Sequence, residues 1–351
     1  MKKKSLAVLI IGSALIWSFV IVGCALKLRG TDGYDRISYI LIGGFISNFI
    51  LIWLPLILQN KKAKNTAKIV ILLSLIYNTA LAQEAPLHEK SLLWEISGNG
   101  LSEASYLFGT IHIMDSAYFF LDNEVVETFN KCDRIVFEID TDQPGFEKKS
   151  LAITFMQNDS LDNILSEEEY REISDFFLKE FNFPLQAVKK MKPFYVANLI
   201  DALSLPAGSK GYEEAFKKMA GDQGIEIAGI STIGKEAELL DGISMSDQVK
   251  SLFKGMEEYY GGFERKLKVL NAFQEQDIDR IFKLMKSAMD DYDTVYQSMF
   301  PDRHAIWIPN MKALMQNHSC FFAVGVGHLA GQEGVINLLK KEGYRLKAIM
   351  N

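Results

Sequence analysis

Two histidines, His112 and His328, stand in the same local pattern, Gly109-Thr110-Ile111-His112 and Gly325-Val326-Gly327-His328. With 25 glycines and 5 histidines among 351 residues, chance supplies a Gly-x-x-His match less than once, so the pair asks for a reason. Each follows an apolar run of strand character, Tyr106-Leu107-Phe108 in one case and Phe321-Phe322-Ala323-Val324 in the other. A third run, Arg134 to Asp140, is rich in β-formers and ends in two acids, Glu138 and Asp140. Ligands of parallel sheets gather outside the carboxyl ends of the strands, and glycine there allows tight turns or close backbone approach. If these three strands are neighbours running the same way, two imidazoles and one or two carboxylates meet at one rim. Imidazole and carboxylate are common ligands of divalent ions, so His112, His328, Glu138 and Asp140 form a candidate metal set, with Zn, Mn or Co as the ion. Such an ion acidifies a bound water and polarises a carbonyl, which is hydrolytic chemistry. Arg303, in Pro301-Asp302-Arg303-His304, is the fourth candidate catalytic residue beside His112, His328 and Glu138, either as a partner of Glu138 or as an oxyanion stabiliser.

A structural role remains open for each of these residues. A strand-end histidine is commonly no more than a hydrogen-bonded side chain, Asp140 can cap the following segment, and Arg303 can start a helix. His88 and His318 read as solvated. Competing chemistries lack their signatures: there is no Gly-x-Ser-x-Gly elbow, no His-Glu-x-x-His, no P-loop and no Gly-x-Gly-x-x-Gly.

The elements that must position these residues are legible as an alternation of apolar runs and amphipathic helices, which predicts an α/β domain with a mixed central sheet flanked by helices. Trp94 to Ile96 and Ser105 to Phe108 read as a hairpin across Ser97-Gly98-Asn99-Gly100. Asp115 to Cys132 has helical period. Residues 145 to 220 read as mostly helical, divided by Pro184, Pro193 and Pro206, with a capping box from Ser166 to Glu169. A short strand at Ile225 to Gly229 precedes helices over 233 to 317, one of which Pro309 should kink or end. Strand Cys320 to Val326, helix Gln332 to Lys341 and strand Tyr344 to Ile349 complete the chain.

Residues 1–82 differ in kind. They hold 10 Lys or Arg against 2 Asp or Glu, whereas the remainder is acidic, although the net charge is only −6. An acidic body argues against nucleic acid as a partner. Residues 5–26 and 37–58 are uncharged stretches of spanning length, and 69–82 is a third span or a signal-like segment ending Ala80-Leu81-Ala82. Lys2 to Lys4 and Lys61, Lys62, Lys64 and Lys68 favour the cytoplasmic side, which places residues 83–351 outside the cytoplasm at a membrane, in the periplasm of a Gram-negative cell. Ile21-Val22-Gly23-Cys24 also has the form of a lipobox. With Cys24, Cys132 and Cys320 as the only cysteines, a Cys132–Cys320 bridge is allowed but not required.

Three ordered segments resemble the TraB/GumN family, which is related to the membrane-tethered Tiki-type metalloproteases: Leu92 to Gly98, Ser105 to His112, and Ala323 to Gly331. The resemblance covers about residues 90–350. It implies a fold of the erythromycin esterase and ChaN-like group, a peptide or protein substrate, and a site made of Gly109, His112, Glu138, Gly325 and His328, with Arg303 matching a recurrent arginine. The chain departs from the pattern twice. Gly229-Ile230-Ser231-Thr232 stands where the family often has Gly-Leu-Glu-Thr, with Glu236 close behind, and His304 stands where an asparagine often follows the arginine. The resemblance also admits peptide capture without cleavage, as in pheromone shutdown, and, on fold analogy alone, haem or iron handling.

Overall fold

The computed structural model describes residues 88–350, apart from 290 and 291. The expectations for residues 1–82, the spans, the signal-like segment and the lipobox at Cys24, lie outside the described residues. Among the described residues no helix is long and apolar enough to cross a membrane.

Six strands form one mixed sheet: β1 (Leu93–Gly98), β2 (Ser105–Thr110), β3 (Arg134–Ile139), β4 (Glu226–Ser231), β5 (Cys320–Gly325) and β6 (Tyr344–Ile349), in the order β4-β3-β5-β2-β1-β6. The opening hairpin forms as read, with Leu93 opposite Phe108 and β1 antiparallel to β2. β4, β3, β5 and β2 run parallel to one another. Burial follows from place in the sheet. Central β5 reads Cys-Phe-Phe-Ala-Val-Gly and is covered on both faces, as a parallel strand between helical layers must be. Edge strand β6 alternates, burying Tyr344, Leu346 and Ala348 and turning Arg345 and Lys347 to water, which also discourages pairing with another chain.

The chain passes from β2 to β3 leaving a place between them, adds β4 outside β3, and returns to fill the vacancy with β5. Helices occupy both long crossovers. Pro193 starts the Pro193–Leu203 helix, where its missing N–H costs nothing. Ser166 and Glu169 close the capping box of the Glu167–Phe181 helix in both directions.

Several expectations are corrected. Asp115 to Cys132 is helical only over Asn123–Phe129, the residues before it running as turns and extended chain. Pro309 lies inside the Arg303–Met315 helix and does not end it, because burial of Trp307, Met311 and Met315 on the sheet core outweighs one lost backbone bond. Cys132 and Cys320 are both free and buried. The His88 side chain is buried, not solvated, with its Nδ1 2.9 Å from Asp279 Oδ1 and its ring edge-on to Trp94.

Candidate functional site

Parallel pairing levels the carboxyl ends of three adjacent strands. Thr110 of β2 pairs with Gly325 of β5, and Phe137 of β3 with Ala323. His112 follows β2 by two residues, His328 closes a 3₁₀ turn after β5 (Val326–His328), and Glu138 is the penultimate residue of β3. Three sequence candidates therefore meet: Glu138 Oε1 lies 4.0 Å from His112 Nε2 and 3.9 Å from His328 Nε2. The same oxygen accepts the Gly325 N–H at 2.8 Å. A Cβ on Gly325 would stand 3.2 Å from Glu138 Oε1, 3.4 Å from His328 Cδ2 and 3.9 Å from His112 Nε2. The glycine thus keeps open a carbon-sized space that all three side chains border. Asp140 is not drawn in, since its Oδ1 accepts the backbone N–H of Asp142 at 2.9 Å.

Each imidazole is held from behind. Glu213, in the first turn of the Tyr212–Gln223 helix, takes His112 Nδ1 at 2.7 Å and Thr110 Oγ1 at 3.2 Å. The helix comes this close because Gly211 lacks a Cβ, which would sit 2.5 Å from the His112 carbonyl oxygen. The hydrogen bond that His112 Nδ1–H donates to Glu213, helped by the charge of Glu138, pushes His112 up to about 9. Its side chain is 66% exposed, so the open space has access to solvent.

His328 is buried against Phe300 and Trp307, with ring centroids 5.0 and 4.7 Å away. Its Nδ1 lies 3.0 Å from His304 Nε2, and His304 Nδ1 lies 2.6 Å from the Glu333 carbonyl oxygen. Burial pushes His304 down to about 4, and burial together with the charges around it pushes His328 well below the ordinary imidazole range.

Arg303 bridges two acids. Its Nη1 lies 3.2 Å from Glu138 Oε2 and its Nη2 2.6 Å from Glu236 Oε2, with all three side chains largely buried. Glu236, from the Ile233–Asp241 helix, thus supplies the second acid to Arg303, with buried Ser231 at the end of β4. Desolvation raises Glu236, and Arg303 opposes that rise. Arg303 Nε is buried with no hydrogen-bond partner among the described residues, while Ser231 adjoins Glu236 and helps Arg303 to oppose its rise.

Sequence reasoning missed Glu213 altogether and met His304 only as a departure. The sole signal for Glu213 was an acidic first helical turn after a glycine, which fits any ordinary helix start. Nothing local to His304 points to His328, 24 residues away.

The donor types here, two imidazoles and a carboxylate, suit a divalent ion. Tetrahedral ligands about 2.0–2.1 Å from one ion lie roughly 3.4 Å apart, so the distances of 4.0 and 3.9 Å would have to shorten by about half an ångström. Among the described residues no three His, Cys, Asp or Glu side chains already stand at metal-ligand spacing. The residues fit the ion in type and face a space kept free of side-chain carbon, and only their separation is wide.

Comparison with known proteins agrees with the shared motifs. The chain is similar to the metalloprotease TIKI2 of Danio rerio, at 20% identity over 313 residues, covering 73% of this chain and 60% of that protein. It therefore spans about three fifths of that relative's length. No solved structure matches it. The family model described as TraB/PrgY/gumN matches residues 92–348, which include both Gly-x-x-His motifs, Glu138 and Arg303, and the chain belongs to the TraB/PrgY/gumN family.

Proposed function

We propose that the chain is a metal-dependent hydrolase acting on a peptide or protein, its site formed by His112, His328 and Glu138. The observation that carries this reading is the space kept open by Gly325, bordered by both imidazoles and the carboxylate at the carboxyl ends of β2, β5 and β3. The similarity to a metalloprotease supports the metal, as Zn, Mn or Co. When held by His112, His328 and Glu138, a divalent ion supplies an acidified water and a polarised carbonyl. The chain's own residues do the rest. Glu213 fixes the His112 ring with Nε2 toward the opening, and Arg303 engages Glu138 through Oε2, leaving Oε1 turned to the imidazoles.

The family supports an erythromycin esterase-like fold, and the apolar stretches at 5–26, 37–58 and 69–82 support a membrane-tethered protein whose residues 83–351 work outside the cytoplasm. A second reading, peptide capture without cleavage, draws on Glu138 already being paired with Arg303 and with the Gly325 N–H. Peptide mixtures incubated with the full chain and read by mass spectrometry separate the two. Hydrolysis yields fragments that disappear in His112→Ala and His328→Ala and after chelation, and return with Zn, Mn or Co. Retained peptides of unaltered mass would establish capture and overturn the hydrolase.

A further inference from the structure

We infer that His304 is a positioning residue that fixes the tautomer of His328 and so presents an unprotonated Nε2 to the site. The inference rests on the reading of His328 as a site residue and adds a role that the sequence treats only as a departure.

The argument starts from a group with no choice. The Glu333 carbonyl oxygen can only accept, so His304 Nδ1, 2.6 Å away, must carry the proton between them. A neutral imidazole has one N–H and one lone pair, so His304 Nε2 is then an acceptor. The ring 3.0 Å from it is His328, whose Nδ1 must donate. That leaves the lone pair of His328 on Nε2, the nitrogen 3.9 Å from Glu138 Oε1. Both rings are neutral on geometry alone: His304 and His328 are buried, no carboxylate among the described residues lies at hydrogen-bond distance from either, and the guanidinium of Arg303 adjoins His304 in the chain.

The relay therefore runs one way, from His328 through His304 to a backbone carbonyl. It holds the ring plane as well as the proton, because His304 is itself wedged against Trp307 and Phe300, with centroids 5.6 and 6.2 Å away. The lone pair of His328 Nε2 and Glu138 Oε1 consequently face the same opening, 3.9 Å apart. This arrangement calls for a positive group or a water hydrogen, and it makes His328 competent as a ligand or base without first losing a proton.

The test reads the tautomer directly. In the full chain labelled with ¹⁵N at its histidines, long-range ¹H–¹⁵N spectra at neutral pH, with the signal assigned by its loss in His328→Ala, should show His328 as a single form. In that form Nδ1 is protonated and Nε2 resonates as a bare nitrogen. His304→Leu should release the ring to a mixture of tautomers or to the opposite one. His304→Gln, whose amide offers one donor and one acceptor, should keep the single form. A protonated Nε2 in the wild-type chain, an unchanged tautomer in the leucine variant or a scrambled one in the glutamine variant would overturn the inference. None of these readings needs substrate. Full activity in His328→Ala would instead remove the hydrolase reading while leaving the spectrum intact.

Discussion

Arg303 shows how a single residue can be both structural and part of the site. It is the cation between Glu138 and Glu236, and all three side chains are nearly out of water. Arg303→Leu strands two buried carboxylates, and breaking a buried pair from one side costs about 3–5 kcal/mol, a large share of the roughly 5–15 kcal/mol that holds a domain together. Chemical denaturation should show that loss, and a change under about 1 kcal/mol would mean that the guanidinium is not the acids' counter-charge. Glu236→Gln should cost less, because burial already raises Glu236 toward its neutral form. The second prediction concerns His112, whose folded value of about 9 lies above the ordinary 6.5. A raised imidazole contributes stability that is complete below 6.5 and is lost as pH climbs through about 9. Glu213→Gln removes the largest cause, so His112 should titrate closer to its ordinary value and the alkaline loss of stability should shrink. An NMR titration of chelated protein checks this, and an unmoved His112 would show that Glu213 is not its partner. The two motif histidines and Glu138 were legible because glycine and apolar runs surround them. Glu213, 101 residues from His112, was not, since long-range pairing leaves no mark on a first-turn acid.

At the scale of elements, the site depends on how closely strand ends and helix starts approach, and glycine sets that closeness. Gly325 has φ −53° and ψ 130°, a conformation open to any residue, so its value lies in the absent side chain alone. Gly325→Ala should fold with a transition close to the parent's, yet place a methyl 3.2 Å from Glu138 Oε1 and 3.4 Å from His328 Cδ2. The added methyl also occupies the space that substrate or water would take, and a misplacement of about 1 Å at reacting groups costs up to about 10²-fold in rate. The informative result is a large activity loss at nearly constant Tm. An alanine variant of full activity would mean that the opening is not where substrate or water sits. The strands were readable from sequence because alternation and β-rich runs are local signals, and both motif glycines lie at strand ends as their pattern suggested. The stretch from Asp115 to Phe120 was misread because it closes only isolated turns, Tyr118 N–H on the Asp115 carbonyl at 3.0 Å and Phe119 N–H on that of Ser116 at 3.3 Å, which do not propagate into a helix. Here the chain instead pairs Met114 with Lys210 in an isolated antiparallel bridge. Pro309 does not end its helix for the complementary reason, as tertiary burial decides what a proline can do within a helix.

Across residues 88–350 there are two substantial cores. One lies on the sheet, and the other is wholly helical, built from residues such as Ile173, Phe177, Val196, Ile200, Leu252 and Met256. The helical core joins both long crossovers, because the Pro193–Leu203 helix belongs to the β3–β4 connection and the Met245–Gly261 helix to the β4–β5 connection. A third small cluster, centred on Leu240, Ile243 and Val295, packs Phe194 and Tyr195 from the first crossover and Met299 from the turn before Arg303. The helix that carries Glu236 ends at Asp241, four residues before the Met245–Gly261 helix begins. Strain in the helical core therefore has a short covalent and packed route to the Arg303 bridge, and the two cores should unfold together. Leu252→Ala tests this, since Leu252 is fully buried and belongs to the helical core, a different cluster from the one on the sheet. A leucine-to-alanine cavity costs about 2–5 kcal/mol, so the urea midpoint should fall accordingly in one transition. The His112 titration, read below that midpoint, should match the parent's. Two separate transitions, with His112 still native after the first, would show instead that the helical core is an independent unit and that the crossovers do not couple it to the site.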